Sequence, residues 1–112
     1  MPLTVAAPHV HHSDPVKGSR FRGTVLPVAD LTAAEAAIAD LWAREPDVTH
    51  HAWAVRLRDG TVYAQDDGEP SGTAGRPILA RLEGQDLVDV LLVVTRWYGG
   101  TNLGTGGLVR AY

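Results

Sequence analysis

The residues best suited to chemistry in this sequence lie in a glycine-rich segment, residues 95–112. This segment holds five of the 12 glycines, two arginines and the adjacent aromatic residues Trp97 and Tyr98. Glycine at this density lets a backbone adopt positive φ angles or lie very close to a bound molecule. Because the segment lies between a buried strand and a predicted helix, it could bind an anion through backbone N–H groups. A tight strand-to-helix turn would need the same glycines, so both interpretations stay open.

A second group of reactive side chains is the acidic turn, which comprises Asp66, Asp67 and Glu69. Three carboxylates around a glycine could coordinate a divalent metal ion or supply an acid and a base for catalysis. A polar turn without chemistry is the third interpretation, because Asp and Gly are common turn residues. Residues 72–75 follow and lead into a predicted helix with Pro77 in its first turn. The carboxylates are therefore predicted to lie just before a helix N-terminus.

Both groups carry a resemblance to a known protein family. The sequence Arg-Trp-Tyr-Gly-Gly at residues 96–100, with Leu-Gly-Thr-Gly-Gly-Leu at residues 103–108, resembles the signature of the IMPACT family. Residues 66–77 are similar to the family's other hallmark, and residues 19–21 and 49–53 also occur in the order the family shows. Two long motifs in the right order are far more specific than a lone glycine pattern. The sequence from about residue 17 to residue 112 therefore resembles an IMPACT-family (YigZ-like) N-terminal domain.

Composition limits the class of protein. A chain of 112 residues with 45% hydrophobic residues is large enough for one compact domain with a core. A formal net charge of -3 excludes a protein that coats nucleic acid through bulk positive charge, so any anion site must be local. The absence of cysteine excludes disulfides, thiolate nucleophiles and cysteine metal sites, and it suits a cytoplasmic location. The apolar run after Leu87 is too short to cross a bilayer, and the N-terminus lacks the basic region of a signal peptide.

Hydrophobic periodicity predicts alternating strands and helices. The alternation over residues 21–27 is typical of a first strand. Thr32 and Glu35 form a capping box, so a helix is predicted to begin there and to end before Pro46. The remaining predicted elements are strands at residues 50–57 and 61–65 around an Asp59-Gly60 turn, a second helix closed by Gly84, and a strand at residues 87–95.

This order of elements predicts an α+β fold in which two helices cover one face of a mixed four-stranded sheet. Residues 90–94 are apolar without alternation, so the last strand is predicted to be central and covered on both faces. The family resemblance implies the ribosomal protein S5 domain 2-like fold, which contains a left-handed β-α-β crossover. One shared core is predicted, formed by Ile38, Trp42, Trp53, Val55, Leu82, Leu92 and Val94.

The chain is predicted to have two parts, an N-terminal tail or edge strand over residues 1–16 and the IMPACT-like domain over residues 17–112. The three histidines at positions 9, 11 and 12 could bind a metal ion, but no carboxylate or cysteine lies beside them at ligand spacing. A tail or edge strand is the favoured interpretation, and no metal site or cofactor is predicted. In the family, the segment after Gly104 opens a full helix and bacterial members continue into a ferredoxin-like domain. The resemblance therefore predicts that this domain is truncated at its C-terminus.

The resemblance implies a binding module that regulates translation or a stress response. IMPACT-like proteins are associated with translational control, in eukaryotes by competing for the activator of the general-control kinase, and bacterial members look like nucleic-acid or ribosome binders. The expected partner is therefore RNA, the ribosome or a translation-regulatory protein, and no catalytic residue is assigned. The residues predicted for anion or nucleic-acid binding are Arg76, Arg96, Trp97, Tyr98, Gly99, Gly100, Gly104, Gly106, Gly107 and Arg110.

The alternative is an enzyme that acts on a phosphorylated small molecule or nucleotide. The glycine-rich segment would then hold the phosphate while the acidic turn bound Mg²⁺, although the sequence has no P-loop lysine and no paired nucleophile and base. A structural interpretation is also open, in which the arginines pair with the acidic turn and the aromatic residues pack in the core. Both motifs lie at strand ends that lead into helices, so Glu69 or Asp67 is predicted to approach Arg96 or Arg110.

Overall fold

The computed structural model describes residues 4, 8–12, 19–67, 69 and 72–97. The order from the second strand onward is the predicted strand, helix, strand, strand, helix, strand, which confirms the α+β prediction. No helix in the described part of the chain is both long and apolar enough to span a membrane. The elements are β1 (His9–His12), β2 (Arg20–Pro27), α1 (Leu31–Arg44), β3 (His50–Arg56), β4 (Val62–Gln65), α2 (Gly75–Gly84) and β5 (Val90–Trp97).

The strands form one sheet in the order β1-β2-β5-β3-β4, so β5 is the central strand, as predicted. Each neighbouring pair in this order is antiparallel. The prediction of a mixed four-stranded sheet is therefore wrong in two details, because β1 adds a fifth strand at the edge and the described neighbours all run antiparallel. The strands that each helix connects, β2 with β3 and β4 with β5, do run parallel, but one other strand lies between them.

The two helices lie on opposite faces of the sheet, which corrects the prediction that they share one face. Ile38 of α1 packs in a core that contains Trp53 of β3. Ile78 of α2 packs in another core, which contains the next strand residue, Ala54. Successive side chains of a strand point to opposite faces, so α1 and α2 cover different sides of the sheet. These sides are called the α1 face and the α2 face below.

The two helical crossovers have opposite hands. The units β2-α1-β3 and β4-α2-β5 each connect parallel strands across one intervening strand, and they run in opposite directions across the sheet. If β4-α2-β5 is rotated by 180° about the normal of the sheet, its two strands run and succeed each other in the same direction as those of β2-α1-β3. Its helix, however, still lies on the opposite face of the sheet. One crossover is therefore left-handed, which departs from the usual rule and agrees with the crossover that the resemblance implies.

Two hydrophobic cores replace the single predicted core, one on each face. The reason is that periodicity identifies the buried side of an element but not the face of the sheet that the element covers. The prediction that the central strand is covered on both faces is confirmed, since its alternate residues enter both cores. The predicted core residues divide into Ile38, Trp42, Trp53 and Val55 on the α1 face and Leu82, Leu92 and Val94 on the α2 face.

Two helix ends differ from the predicted ones. The helix α1 begins directly after Asp30, whose side chain accepts a hydrogen bond from the backbone N–H of Ala33 at 2.8 Å. Asp30 is therefore the N-cap, in place of the predicted capping box of Thr32 and Glu35. Gly84 is the last residue of α2 instead of the residue beyond its end.

Candidate functional site

The described residues of the two hallmark motifs come together at the end of the sheet where β2 begins and β5 ends. In the register of these strands, Arg20 lies opposite Trp97 and Phe21 lies opposite Arg96. Residues paired across antiparallel strands share a face, and the next pair along lies on the other face. Phe21 belongs to the core of the α2 face. The Phe21 and Arg96 pair is therefore on the α2 face, and the Arg20 and Trp97 pair is on the α1 face.

Arg96 forms a buried ion pair with Glu69 of the acidic turn. The Nη1 atom of Arg96 donates to both carboxylate oxygens of Glu69 at 2.8 Å, and each of the two side chains is 4% exposed. The Nη2 and Nε atoms of Arg96 lie 3.3 and 3.4 Å from the hydroxyl oxygen of Ser19. The predicted approach of the acidic turn to Arg96 is thus confirmed. The same burial argues against Arg96 as a surface for an outside anion, because its donors already serve acceptors of the protein.

His50, the first residue of β3, also contacts the carboxylate of this ion pair. Its Nδ1 atom donates to the backbone oxygen of Asp67 at 2.6 Å, and its Nε2 atom lies 3.2 Å from Oε1 of Glu69. The register of β3 with β5 places His50 directly opposite Arg96. The sheet therefore presents both side chains to the same carboxylate.

Asp66 caps the N-terminus of α2 from outside the helix. Its Oδ1 atom accepts hydrogen bonds from the backbone N–H groups of Gly75 at 2.8 Å and Ala74 at 3.2 Å, and its Oδ2 atom accepts from Gly72 at 3.0 Å. Burial raises the pKa of the Asp66 carboxyl, but these N–H groups and the charge of Arg76 outweigh it and hold the pKa below its usual value. The predicted position before a helix N-terminus is confirmed, and the protein's own carboxylate balances the helix dipole there.

The helix α2 starts in close contact with β4, and this contact positions the acidic turn. A Cβ atom on Gly75 would lie 2.8 Å from the backbone nitrogen of Gln65 and 3.2 Å from the carbonyl carbon of Ala64. Only glycine fits there without a backbone shift. A cleft of about 360 Å³ lies beside the contact, and Arg76 is exposed at it. The anion-binding role of Arg76 stays a prediction.

On the α1 face, His51 forms a separate buried network and is 0% exposed. A carbonyl oxygen can only accept, so Nε2 of His51 donates to the backbone oxygen of Glu45, at 3.4 Å. The Nδ1 atom of the neutral ring then accepts from the hydroxyl group of Thr95 at 2.8 Å. The ring of Trp42 packs edge-on, with its centroid 4.5 Å away. Burial lowers the pKa of His51, although the Glu45 carbonyl opposes this shift, so the ring is neutral at pH 7.

Asp67 fixes both histidines to the acidic turn. Its backbone oxygen accepts from His50, and its Oδ2 atom accepts from the backbone N–H of His51 at 2.7 Å. Asp67 has a φ angle of 52°, in the left-handed region that Asp tolerates better than most residues. The turn therefore contacts strand residues that belong to both faces of the sheet.

On the α1 face, the side chains of Arg20 and Arg22 both lie over the ring of Trp97. The guanidinium carbons of Arg20 and Arg22 each lie 5.3 Å from the centroid of the Trp97 ring, within the range of cation–π attraction. Arg22 also donates from Nη1 to Oε2 of Glu45 at 2.9 Å, and this hydrogen bond holds the pKa of Glu45 below its usual value. Arg20 is exposed and forms no ion pair with any described residue. Within the part of the chain that the structure describes, Arg20 is thus a positive charge without a carboxylate partner beside a partly exposed aromatic ring.

The carboxylates of the acidic turn already bind donors of the protein. Asp66 accepts three backbone N–H groups, Asp67 accepts one, and Glu69 is paired with Arg96. These hydrogen bonds give the three carboxylates a structural role in the turn and at the start of α2. The described residues also include no group of three His, Cys, Asp or Glu side chains that could hold one metal ion. This geometry gives no support to the alternative in which the turn binds Mg²⁺ for phosphoryl transfer.

Part of the predicted site lies outside the described residues, so its role stays a prediction. The two histidines of β3 entered the prediction only as part of the motif at residues 49–53, and Arg20 and Arg22 were not among the predicted site residues. The sequence shows that Arg20 and Arg22 alternate along β2. It does not show that β2 pairs with β5, and this pairing brings both arginines close to Trp97. The predicted site residues outside the described ranges are Tyr98, Gly99, Gly100, Gly104, Gly106, Gly107 and Arg110.

Comparison with known proteins agrees with the motifs. Residues 17–112 match the family model of the Impact N-terminal domain. The IMPACT family member YigZ of Escherichia coli K12 is 43% identical over 114 residues, which covers 98% of this chain and 55% of YigZ. Protein IMPACT of Mus musculus is 33% identical over 112 residues, which covers 92% of this chain and 35% of the mouse protein. This chain thus spans about half the length of YigZ and about a third of mouse IMPACT.

Two solved structures share the fold. A crystal structure of a hypothetical protein has a TM-score of 0.89 and 40% sequence identity. The match covers 96% of this chain and 53% of the chain of that protein. The two-domain translational regulator Yih1 has a TM-score of 0.56 and 23% identity, and it matches 95% of this chain and 42% of its own. The motifs, the architecture and the match over residues 17–112 lead to one conclusion: the chain belongs to the IMPACT family, through the Impact N-terminal domain.

Proposed function

We propose that this chain is a binding domain of translation or stress-response control that contacts single-stranded RNA through Arg20 and Trp97. The regulatory role rests on the family, since IMPACT-like proteins are associated with translational control. Yih1, which shares the fold, is itself a two-domain translational regulator. Because the chain spans about half the length of its bacterial relatives, the proposal concerns the contribution of this domain.

The observation that carries the proposal is the pairing of Arg20 with Trp97. An aromatic ring can stack on any base, and an arginine beside it can neutralise the adjacent phosphate, so the pair suits a strand of any sequence. Arg20 has no carboxylate partner among the described residues, whereas Arg22 is paired with Glu45. In a chain of net charge -3, such an unneutralised cation is the local positive charge that nucleic-acid binding requires. Arg20 therefore replaces Arg96 as the proposed phosphate-binding arginine, because Arg96 is buried.

The test is fluorescence anisotropy with a labelled single-stranded RNA at two salt concentrations. The wild-type chain should bind weakly, and Arg20→Gln should weaken binding on every RNA sequence and flatten the salt slope by about 0.7. Trp97→Leu should cost about 1 to 3 kcal/mol through lost stacking and leave the salt slope unchanged. The two variants therefore separate the charge from the aromatic ring.

Arg58→Gln is the matched control, since it removes the same charge at the opposite end of β5. Arg58 is 66% exposed and paired with Asp89, and its loss should leave RNA affinity and salt slope unchanged. Absence of RNA binding at low salt would refute the nucleic-acid proposal and favour recognition of a regulatory protein. The same conclusion follows if Arg20→Gln and Trp97→Leu both bind as tightly as wild type.

A further inference from the structure

The edge strand β1 carries three histidines that the site above does not use, and two of them, His9 and His11, share a face. β1 pairs with β2 alone, with His9 opposite Val25 and His11 opposite Gly23. Residues two apart in a strand point to the same face, and Val25 places this pair on the α2 face. Both histidines are exposed. The sheet thus orders two imidazole rings side by side on an accessible surface.

The spacing of this pair suits a single metal ion. A strand advances about 3.3 Å per residue, so the two backbone positions lie about 6.6 Å apart. Histidines four residues apart in a helix are separated by about 6 Å along the axis, and that spacing binds zinc in metalloprotease helices. Imidazole nitrogens bind Zn²⁺ at about 2.0 to 2.1 Å. Two rings at this separation can therefore converge on one ion without a change in the backbone.

The surface beside the pair has room for an ion and its water ligands. Gly23 has no side chain, and among the described residues a Cβ atom built there would meet only the backbone oxygen of His11, at 3.9 Å. The other cross-strand neighbour, Val25, is apolar and offers no competing ligand. Within the described residues, no group of three ligand side chains could surround an ion. A bound ion would therefore keep water in its other positions, as in open sites and unlike closed structural sites.

We propose that His9 and His11 form a bidentate site for a divalent late first-row transition metal ion. Imidazole suits Cu²⁺, Zn²⁺ and Ni²⁺, and the general order of affinity places Cu²⁺ first. The ligands are neutral imidazole rings, so protons compete with the metal and binding weakens at acidic pH. An ion that binds the ordered strand and not the unfolded chain stabilises the pairing of β1 with β2.

Isothermal titration calorimetry of the full chain with ZnCl₂ and, separately, CuCl₂ at neutral pH tests the proposal. The wild type should show saturable binding of one ion per chain, with the tighter binding for Cu²⁺. His9→Ala and His11→Ala should each abolish this binding. His12→Ala is the matched control, because it removes the third histidine of the same strand, and it should retain the wild-type affinity. Circular dichroism would establish that every variant is folded.

Nuclear magnetic resonance locates the ion independently. Zn²⁺ should shift the amide signals of β1 and those of Gly23 and Val25, which lie across from the pair. Unchanged binding in both His9→Ala and His11→Ala would overturn the proposal. So would a His12→Ala variant that loses binding as completely as the other two, because the histidines would then capture the ion as an unordered tail and not as a strand.

Discussion

Arg96 and Arg20 lie at the same end of the sheet, on neighbouring cross-strand pairs, yet their surroundings are opposite. Arg96 is 3% exposed and bound to Glu69 on the α2 face. Arg20 is exposed on the α1 face, where it lies over Trp97. One step along the β2 and β5 register separates the two environments. Because successive strand positions face opposite sides, the register buries Arg96 on one face and leaves Arg20 exposed on the other.

The difference also separates two kinds of arginine in a family motif. The buried pair of Arg96 and Glu69 connects the acidic turn to the central strand, so the loss of either residue alone should destabilise the fold. Arg20 contributes little to folding because its charge remains in water. A hallmark arginine is therefore not by itself evidence of a ligand, and its burial decides which role it has.

Arg96→Gln should have the largest effect on stability. The change leaves the carboxylate of Glu69 buried without the positive charge of its arginine partner, and breaking a buried pair in this way costs about 3 to 5 kcal/mol of unfolding free energy. Denaturant unfolding measures this loss. Arg20→Gln is the matched control and should change the unfolding free energy by less than about 0.5 kcal/mol. Equal losses in the two variants would contradict the contrast between the arginines.

Gly75→Ala should have the next largest effect on stability, because it pushes the start of α2 away from β4, next to the acidic turn. The new Cβ atom would clash with the backbone of β4, and such overpacking costs about 1 to 3 kcal/mol. The matched control is Gly84→Ala in the same helix, where a Cβ atom would meet nothing within 4 Å. Alanine is the better helix former by up to about 1 kcal/mol, so the control should be neutral or stabilising in thermal unfolding. Destabilisation of equal size in both variants would rule out the close contact as the cause.

The dependence of stability on pH should be the smallest of these effects, and its part nearest neutral pH comes from the buried His51. His51 on the α1 face has a pKa below its ordinary value of 6.5, so the unfolded chain binds the proton more readily than the folded chain. Stability is then complete above pH 6.5 and declines as the pH falls through the lower pKa of the folded state. Asp66 and Glu45 also have lowered pKa values, so they add a further loss below their ordinary values of 3.8 and 4.5.

Unfolding measured at a series of pH values, with His51→Gln beside the wild type, checks this assignment. The variant should lose the part of the slope that begins near pH 6.5 and keep the carboxylate part at lower pH. A slope that is the same in both proteins would show that His51 does not titrate differently in the folded and unfolded states.

The sequence was sufficient for elements whose signals are local. The hairpin formed where Asp59 and Gly60 predicted it, but its loop has three residues, 58–60, between the paired residues Leu57 and Thr61, and not the predicted two. Gly60 has a φ angle of 97° and takes the left-handed last position of this loop, a local signal that acts without distant partners. The central strand was also identifiable, since an uninterrupted apolar run requires cover on both faces. The contact of Glu69 with Arg96 was anticipated because both motifs follow strand ends.

The sequence by itself determined the family, the order of helices and strands, and the buried side of each element. Tertiary structure alone decided that the helices cover opposite faces, that residues 9–12 form an edge strand and not a tail, and that Arg96 is buried while Arg20 is exposed. Periodicity fixes a side chain relative to its own element, because it reflects the geometry of one helix or strand. The environment of a strand residue depends on register and on which face each helix covers, and these follow from contacts between residues far apart in the chain.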